Sequence, residues 1–304
     1  GDILTDPRDS DVIYAASQGP LWAPGGDRGL YKTTDGGESW ERILHVSENT
    51  GIADIVFDSA DPDVIYAASY QRRRHVGMLV AGGPEGKIFR STDAGASWTE
   101  IMDGMPSVDI GRIALEVSPH EAGVVYALVA AADEESGFYR SDDYGESWTH
   151  QSDYIVVDPQ YYGELFADPH RPGRLCAVDV NIHCTTDEGV TFEPFRASGV
   201  HVDHHEIVFD PTDPDYVLIG NDGGLYESFD GGENWRHFDN LPVTQFYRVG
   251  IDNQEPFYWV YGGTQDNGTP GGPSGSRNAF GVRNSEWIRV VGGDGFQARI
   301  DPRY

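Results

Sequence analysis

Three aspartates in glycine-rich stretches near the end of the chain have side chains suited to acid–base chemistry. They are Asp222, Asp266 and Asp294. Two carboxyl groups about 5–10 Å apart would cleave a glycosidic bond, and the same oxygens directed at one centre would suit a calcium ion. Asp beside Gly is also ordinary turn chemistry. The three residues are therefore predicted as a catalytic pair or a calcium site, with plain turn residues as the alternative.

A histidine-rich segment supplies a second set of candidate ligands. His201, Asp203, His204 and His205 carry imidazole and carboxylate groups of the kind that bind zinc or a similar ion. Neighbouring residues in a strand point to opposite faces, so His204 and His205 cannot both face one ion. The segment is predicted as a metal site, with hydrogen-bonded loop residues as the alternative.

Several further polar and aromatic residues are predicted to contact a ligand. The consecutive Arg72, Arg73 and Arg74 would clamp an acidic group, or they form a solvated loop. Trp22 lies in a loop at 17–29, and Tyr161 and Tyr162 would add a stacking surface. The remaining ligand-binding candidates are Asn221, Gln265 and Asn267.

One short stretch occurs five times and organises the chain that positions these residues. Its pattern is Ser/Thr-x-Asp-x-Gly-x-x-Trp, with Phe192 once in place of Trp, and we call it the repeat turn. The five aspartates are Asp35, Asp93, Asp143, Asp187 and Asp230. The Asp would bond backbone N–H groups two residues on, the Gly would supply a positive φ, and the aromatic ring would lie over the turn. A stretch copied five times favours a structural role over a catalytic one.

Each repeat has a second signature upstream, an Asp-Pro or Ser-Pro turn followed by a β-branched strand. Four antiparallel strands per unit, recurring at this period, are typical of a β-propeller blade. We predict an all-β, seven-bladed propeller in a single domain spanning residues 1–304. The blades are placed at residues 1–46, 51–103, 110–151, 154–196, 204–239 and 244–291, with an incomplete seventh at 294–304.

The two ends of such a blade differ in sequence character. One end carries the short repeat turns and the Asp-Pro turns, so it is predicted to be structural. The other end, which we call the loop rim, carries the longer and more variable connections, where function is more often found. Most of the candidate ligand and catalytic residues fall on the loop rim.

The repeat turn resembles the Asp-box, or BNR repeat, of sialidases, xyloglucan-cleaving glycosidases, sortilin-type receptors and photosystem assembly factors. This resemblance implies a propeller and no particular reaction. Four further stretches resemble a subgroup of large, secreted, glycosyl-hydrolase-like proteins related to the sortilin ectodomain. They are 203–205, 220–224, 262–268 and 292–295. The subgroup implies a longer chain with a further C-terminal domain, which agrees with a seventh blade that starts and stops.

This sequence lacks two motifs of the enzyme families, which weakens an assignment to either of them. Sialidases carry an arginine triad and an early Arg-Ile-Pro, and this chain has neither. The opening Arg-Thr-Asp-x-Gly-Gly stretch of the xyloglucan-cleaving enzymes is also missing, because Thr33-Thr34-Asp35-Gly36-Gly37 already serves as a repeat turn.

Composition limits the partners. The net charge is −29, which argues against nucleic acid. No apolar run approaches the ~18 residues of a membrane span, so no membrane insertion is expected. Only Lys32 and Lys87 are lysines, and an acidic, lysine-poor surface suits high salt. A halophilic source is one interpretation, and an ordinary acidic secreted protein is the other.

The two cysteines flank a tight turn. If residue 178 pairs with 182, then Cys176 faces Cys184 directly across two antiparallel strands. Opposed residues have Cβ atoms about 4.5–5.5 Å apart, which is close to disulfide reach. We predict a cross-strand disulfide and an oxidising compartment, with two free thiols as the alternative.

The sequence therefore favours an extracellular or cell-surface binding scaffold for a glycan, peptide or partner protein. A glycoside hydrolase using Asp222, Asp266 or Asp294 is the second hypothesis, and a structural subunit of an extracellular assembly is the third. A binding module needs exposed aromatics, whereas an enzyme needs two carboxyl groups across one cleft, one with a raised pKa.

Overall fold

A computed structural model describes residues 1–195, 197–241, 243–301 and 303 of the chain. These residues form six antiparallel sheets and one short 3-10 helix, Asn284–Glu286. Among the residues described, no helix is long and apolar enough to cross a membrane. Three predicted positions lie outside this range: Arg196 at the end of the fourth blade, Pro302 of the last Asp-Pro turn, and Tyr304.

The first three sheets follow one another along the chain. The first consists of β1 (Ile3–Thr5), β2 (Ile13–Ser17), β3 (Gly29–Thr33) and β4 (Glu41–Leu44). The second consists of β5 (Thr50–Phe57), β6 (Ile65–His75), β7 (Met78–Ala81), β8 (Ile88–Ser91) and β9 (Thr99–Glu100). The third consists of β10 (Ile110–Val117), β11 (Val125–Ala131), β12 (Gly137–Ser141) and β13 (Thr149–Ser152).

The last three sheets repeat the arrangement. The fourth consists of β14 (Glu164–Ala167), β15 (Leu175–Val178), β16 (Ile182–Thr185) and β17 (Glu193–Pro194). The fifth consists of β18 (His204–Phe209), β19 (Val217–Asn221), β20 (Gly224–Ser228) and β21 (Arg236–His237). The sixth consists of β22 (Arg248–Ile251), β23 (Trp259–Gly263), β24 (Thr269–Pro273) and β25 (Ile288–Val291).

Each sheet pairs its strands in chain order, and only β7 leaves this path by pairing with β6 alone. Because consecutive strands run antiparallel, their connections alternate between the two ends of the sheet. The repeat turns and the turns after the first strands therefore share one end, and the loop rim is the other end.

The apolar core lies between neighbouring sheets. Tyr14 and Leu30 of the first sheet pack with Ile52 and Ile55 of the second, and all four are fully buried. Similar clusters join the second sheet to the third, the third to the fourth and the fourth to the fifth. Burial of apolar surface is the main favourable term in folding, so face-to-face packing of successive sheets holds the molecule together.

The sixth sheet is packed differently. Val249 and Ile251 of β22 are 53% and 60% exposed, and Val290 and Val291 of β25 are 49% and 59% exposed. Apolar side chains of its two outer strands therefore meet solvent, and none of the four buried apolar clusters formed by the described residues includes this sheet.

The repeat turns share one hydrogen-bond pattern, shown by the first. The Thr33 hydroxyl donates to Asp35 Oδ1 and accepts the backbone N–H groups of Asp35 and Gly37. Asp35 Oδ1 accepts the N–H of Ser39, four residues on. The predicted bond two residues on was therefore wrong for the Asp: the Thr hydroxyl occupies that place, and the carboxylate reaches farther along the turn. Gly37 has the predicted positive φ, 95°.

The predicted disulfide is confirmed. Cys176 of β15 pairs directly with Cys184 of β16, and Val178 pairs with Ile182. The two cysteines are bonded, with their Cα atoms 4.0 Å apart. Because the two cysteines lie directly opposite each other on neighbouring strands, their sulfurs are within bonding distance.

Two sequence interpretations need correction. The solvated-loop alternative for Arg72 to Arg74 is wrong: β6 continues to His75 and pairs with β7 as a separate hairpin, because Arg72 to His75 find backbone partners in Met78 to Ala81. Residues 294–301 were read as a first strand, and they form no strand. A strand needs a neighbour for its backbone groups, and no partner strand exists for them in the part of the chain described.

Candidate functional site

The three predicted carboxyl groups meet on the loop rim. Asp222 lies in the turn between β19 and β20, and Asp266 lies between β23 and β24. The carboxyl of Asp266 hydrogen-bonds to that of Asp222, and Asp294 Oδ1 accepts the backbone N–H of Asp266 at 2.9 Å. His205 completes the group, with Nε2 2.9 Å from Asp222 Oδ1. Loops of the fifth and sixth sheets are thereby joined by side chains.

The electrostatics of this group follow from its geometry. Burial raises the pKa of Asp266 to about 6, helped by the hydrogen bond to Asp222 and by the charges of Asp222, Asp294 and Asp203. Ionisation of Asp266 would place a second negative charge against its neighbours, so its protonated form is favoured.

The spacing of the pair bears on the predicted chemistry. Hydrogen-bonded carboxyl groups are closer together than the roughly 5–10 Å that glycosidic cleavage requires. Asp222, Asp266 and Asp294 also lie outside the walls of two cavities of about 510 and 380 Å³. As it stands, the arrangement is a hydrogen-bonded network between two loops.

The histidine-rich segment splits between two environments. His204 is 4% exposed, and burial lowers its pKa to about 4. His205 is 47% exposed and faces Asp222. His201 Nδ1 lies 2.8 Å from the carbonyl oxygen of Val202. Across the described residues, no three His, Cys, Asp or Glu side chains are placed to hold one metal ion together.

Tyr162 connects this segment to the fourth sheet. Its hydroxyl donates to Asp203 Oδ1 at 3.0 Å, and its ring stacks on that of His205 with centroids 5.3 Å apart. Burial and the bond to Asp203 raise the pKa of Tyr162 above its ordinary value. Tyr162 was predicted as a stacking residue, and one face of its ring already packs against His205.

The predicted amide side chains fix the rim loops. Asn221 Nδ2 donates to the carbonyl of His201 at 2.9 Å. Asn267 Nδ2 donates to the carbonyl of Asp222 at 2.7 Å, and Gln265 accepts the hydroxyl of Tyr247. These amides hold the backbone around the carboxyl pair.

The β6–β7 hairpin reaches across the rim to the link before the fourth sheet. Arg74 Nη2 donates to the hydroxyl of Tyr161 at 3.2 Å, and the Arg72 guanidinium lies 5.9 Å from the centroid of the Tyr161 ring. The backbone N–H of Arg74 donates to the carbonyl of Leu21 at 2.8 Å, next to Trp22, which is 62% exposed. Arg72 and Arg74 thus meet Tyr161, and the backbone of Arg74 joins the hairpin to the loop that carries Trp22.

A second group of carboxyl groups was missed from the sequence. Asp54, Glu116, Glu164 and Glu206 lie on the first strands of four successive sheets and line the 380 Å³ channel between them. Burial raises the pKa of Glu116 to about 7 and that of Asp54 well above its ordinary value. The sequence feature that could have revealed them is a single acidic residue within each of these apolar first strands.

These buried carboxylates also join neighbouring sheets. Asp54 Oδ2 accepts the N–H of Leu115 at 2.8 Å, and Glu116 Oε2 accepts the N–H of Ala167 at 3.2 Å. Each bond runs from the first strand of one sheet to the first strand of the next. Their primary effect is therefore to fix the strands around the channel.

Comparison with solved structures supports a propeller fold. The chain is similar to the crystal structure of an ancestral GH74 enzyme, with TM-score 0.56 and 19% identity over 94% of this chain. The chain is a β-propeller. It spans 40% of the length of that GH74 enzyme, and at this identity the likeness concerns the fold alone.

Other propeller-containing structures resemble the chain more weakly. A nidogen/laminin complex matches with TM-score 0.48 and 15% identity, covering 83% of this chain and 88% of that one. YCF48 from Cyanidioschyzon merolae matches with TM-score 0.41 and 13% identity, covering 81% and 74%. No protein-family model and no curated protein sequence matches the chain.

Proposed function

We propose that this propeller is a secreted or cell-surface binding scaffold whose loop rim holds a glycan, a peptide or a partner protein. The observation that carries the proposal is a series of side-chain contacts across four sheets. Arg74 meets Tyr161, Tyr162 stacks on His205, and Asp222 bonds to Asp266. Such contacts fix the loops in place before a ligand arrives, which lowers the entropic cost of binding.

The hydrogen bonds of the carboxyl groups support a binding scaffold over an enzyme. Asp294 is bonded to a backbone N–H, and Asp222 is held by both His205 and Asp266. Carboxyl groups engaged in this way stabilise the loops. For glycosidic cleavage, the pair would first have to separate to make room for substrate and water.

One observation nevertheless favours a glycoside hydrolase as the second candidate. The pKa of Asp266, raised to about 6, lies in the range of a general acid. In that role Asp266 would protonate the leaving group, and Asp222 or Asp294 would supply the second carboxylate. A structural subunit is the third candidate, and in it the rim would be covered by another chain.

The proposal includes the family and the full architecture. The shared hydrogen bonds of the five repeat turns support an Asp-box propeller. The exposed apolar side chains of the sixth sheet support a seventh blade, which would cover them. We also propose that residues 1–304 form one domain and that the protein has a further C-terminal domain. The acidic surface is proposed to be an adaptation to high salt.

A binding screen tests the proposal. The propeller would be applied to a glycan array and a peptide library, and each hit would be measured again with Tyr162→Ala and with Glu38→Gln. Glu38 lies in a repeat turn at the opposite end of the first sheet and is the matched control. We expect Y162A to weaken binding at least tenfold and E38Q to leave it unchanged. Ligands bound equally by both variants would contradict a site on the loop rim.

Cleavage of the bound glycan distinguishes the binding scaffold from the glycoside hydrolase. A scaffold with Asp266→Asn keeps its ligand, and neither wild type nor variant cleaves it. A hydrolase releases reducing sugar from the bound glycan, and D266N abolishes the release while binding persists. Release of sugar by the wild type would therefore replace the scaffold with the hydrolase.

A further inference from the structure

Three consecutive arginines stand on the hairpin that projects from the second sheet. Arg72 pairs with Ala81, Arg73 with Val80 and Arg74 with Leu79, and the turn is Val76–Gly77. Val76 is fully exposed, so the hairpin extends into solvent. Side chains alternate along a strand, which places Arg72 and Arg74 on one face and Arg73 on the other.

The contacts of the three arginines follow this alternation. Arg72 and Arg74 both meet Tyr161, whereas Arg73 Nη1 donates to Asn49 Oδ1 at 3.4 Å. Two residues along a strand span about 6.6 Å. One face of the hairpin therefore presents two guanidinium groups around a single aromatic ring.

These arginines lack the carboxylate partners that several other arginines have. Among the described residues, ion pairs are formed by Arg8, Arg90, Arg112, Arg140, Arg174, Arg236 and Arg303. Within the described ranges, no carboxylate lies within 4.0 Å of a nitrogen of Arg72, Arg73 or Arg74. In a chain of net charge −29, three neighbouring cations are left without a paired anion.

A fourth positive charge lies beside them. Arg28 is 1% exposed, and its guanidinium donates to the carbonyl groups of Gln18, Pro20 and Ala23, with no described carboxylate partner. Burial lowers the pKa of Arg28, and the positive charge of Arg73 lowers it further. Arg28 therefore adds a buried positive charge close to Arg73.

The donors of this face are largely unused. A guanidinium has five N–H donors, and of the described hydrogen bonds none comes from the Arg72 side chain and one from the Arg74 side chain. Their Nε atoms are out of contact with solvent, so a ligand would meet the terminal nitrogens. Paired terminal nitrogens match the oxygens of a carboxylate or a sulfate.

Exposed aromatic rings beside these donors indicate the rest of the ligand. Tyr161 is 52% exposed and Trp22 62% exposed, and both adjoin the hairpin. Aromatic side chains offer a rigid apolar surface at low entropic cost, and the C–H face of a sugar ring packs on such a surface. An acidic peptide would use the guanidinium groups and leave the rings without a function.

We propose that Arg72, Arg74 and Tyr161, with Trp22 beside them, form a subsite for an anionic saccharide that carries carboxylate or sulfate groups. The inference rests on the proposed binding function and names the chemical class of its ligand. Uronates and sulfated sugars share the required chemistry, an anion attached to a sugar ring.

Titration calorimetry with four polymers tests the subsite. Polygalacturonate carries carboxylates, dextran sulfate carries sulfates, dextran is neutral, and polyglutamate is an acidic peptide. We expect one or both anionic polysaccharides to bind, and dextran and polyglutamate to bind at least tenfold more weakly. The double variant Arg72→Gln/Arg74→Gln should lose at least tenfold in affinity, whereas Arg73→Gln, on the opposite face, should lose less than threefold.

The aromatic contribution has its own variants. Tyr161→Ala should weaken binding about tenfold and Tyr161→Phe, which keeps the ring, about twofold, with each variant checked for folding by circular dichroism. Preferred binding of polyglutamate would assign the subsite to an acidic peptide and overturn the proposal, as would equal loss in R73Q and in the double variant. Absence of any binding by the anionic polysaccharides would also overturn it. The broader scaffold function would then still be decided by the rim screen with Y162A.

Discussion

Arg90 of the second sheet reaches the repeat turn of the third sheet, with its Nη2 2.6 Å from Glu146 Oε1. Its Nη1 also donates to the carbonyl of Tyr144 at 2.7 Å. The same position, three residues before the repeat-turn Asp, is Lys32 in the first sheet and Arg140 in the third. Lys32 Nζ donates to the carbonyl of Ala94, and Arg140 pairs with Glu188. One register position thus joins each of the first three sheets to the next.

Removing this contact should destabilise the propeller. We expect Arg90→Met to lower the free energy of unfolding by about 1–3 kcal/mol, because it leaves the Tyr144 carbonyl without its charged donor. Glu146→Gln is the matched comparison and should cost less than about 1 kcal/mol, since the side chain of Glu146 is 66% exposed and its ion pair is screened. Urea denaturation measures both, and equal costs would contradict the role of the carbonyl bond.

The disulfide should stabilise the folded protein by reducing the conformational entropy of the unfolded chain. Cys176 and Cys184 close a short loop, and a cross-link of this length stabilises by about 2–3 kcal/mol in the loop-entropy model. We expect Cys176→Ala/Cys184→Ala to lower the free energy of unfolding by that amount in urea. Because both sulfurs are buried, dithiothreitol without denaturant should reduce wild type only slowly. This account would be refuted if wild type and the double variant had the same free energy of unfolding under oxidising conditions.

Acid should weaken the repeat turns. Hydrogen bonds from Ser39 and Thr33 lower the pKa of Asp35 to about 2, and those from Asn234 and Ser228 do the same for Asp230. A depressed folded pKa gives stability that is present above the ordinary value of 3.8 and is lost as the pH falls through 2. The melting temperature of wild type should therefore drop steeply between about pH 4 and pH 2.

The variant Asp35→Asn/Asp230→Asn isolates this effect. Asn does not titrate, so the double variant should melt at a lower temperature at neutral pH but show a shallower decline between about pH 4 and pH 2. Thermal melts monitored by circular dichroism at several pH values give both slopes. Parallel curves for the two proteins would show that other carboxyl groups control the acid transition.

Local chemistry accounts for what the sequence predicted correctly. The opposition of Cys176 and Cys184 follows from strand pairing across one turn, and the positive φ of Gly37 follows from the turn itself. The contact between Arg74 and Tyr161 links residues 87 positions apart, and the sequence gives no rule for such a pair. The same holds for Asp222 and Asp266, because their approach depends on how the fifth and sixth sheets sit against each other.

The effect of Asp222 on the pKa of Asp266 should be measurable. We expect Asp222→Asn to lower the pKa of Asp266 from about 6 toward its ordinary value of 3.8, because the variant removes the negative charge that disfavours ionisation. Burial remains, so the pKa should stay above 3.8. Carbon-13 NMR titration of the side-chain carboxyls reports it directly.

Asp215→Asn is the control for that titration, since Asp215 belongs to the same sheet but lies in a turn at the opposite end from the rim. It should leave the pKa of Asp266 unchanged. If D222N also leaves it unchanged, burial alone raises the pKa of Asp266 and Asp222 has no part in it. Protonated Asp266 should join the rim loops of the fifth and sixth sheets most strongly below about pH 6, because ionisation of Asp266 replaces its hydrogen bond to Asp222 with repulsion.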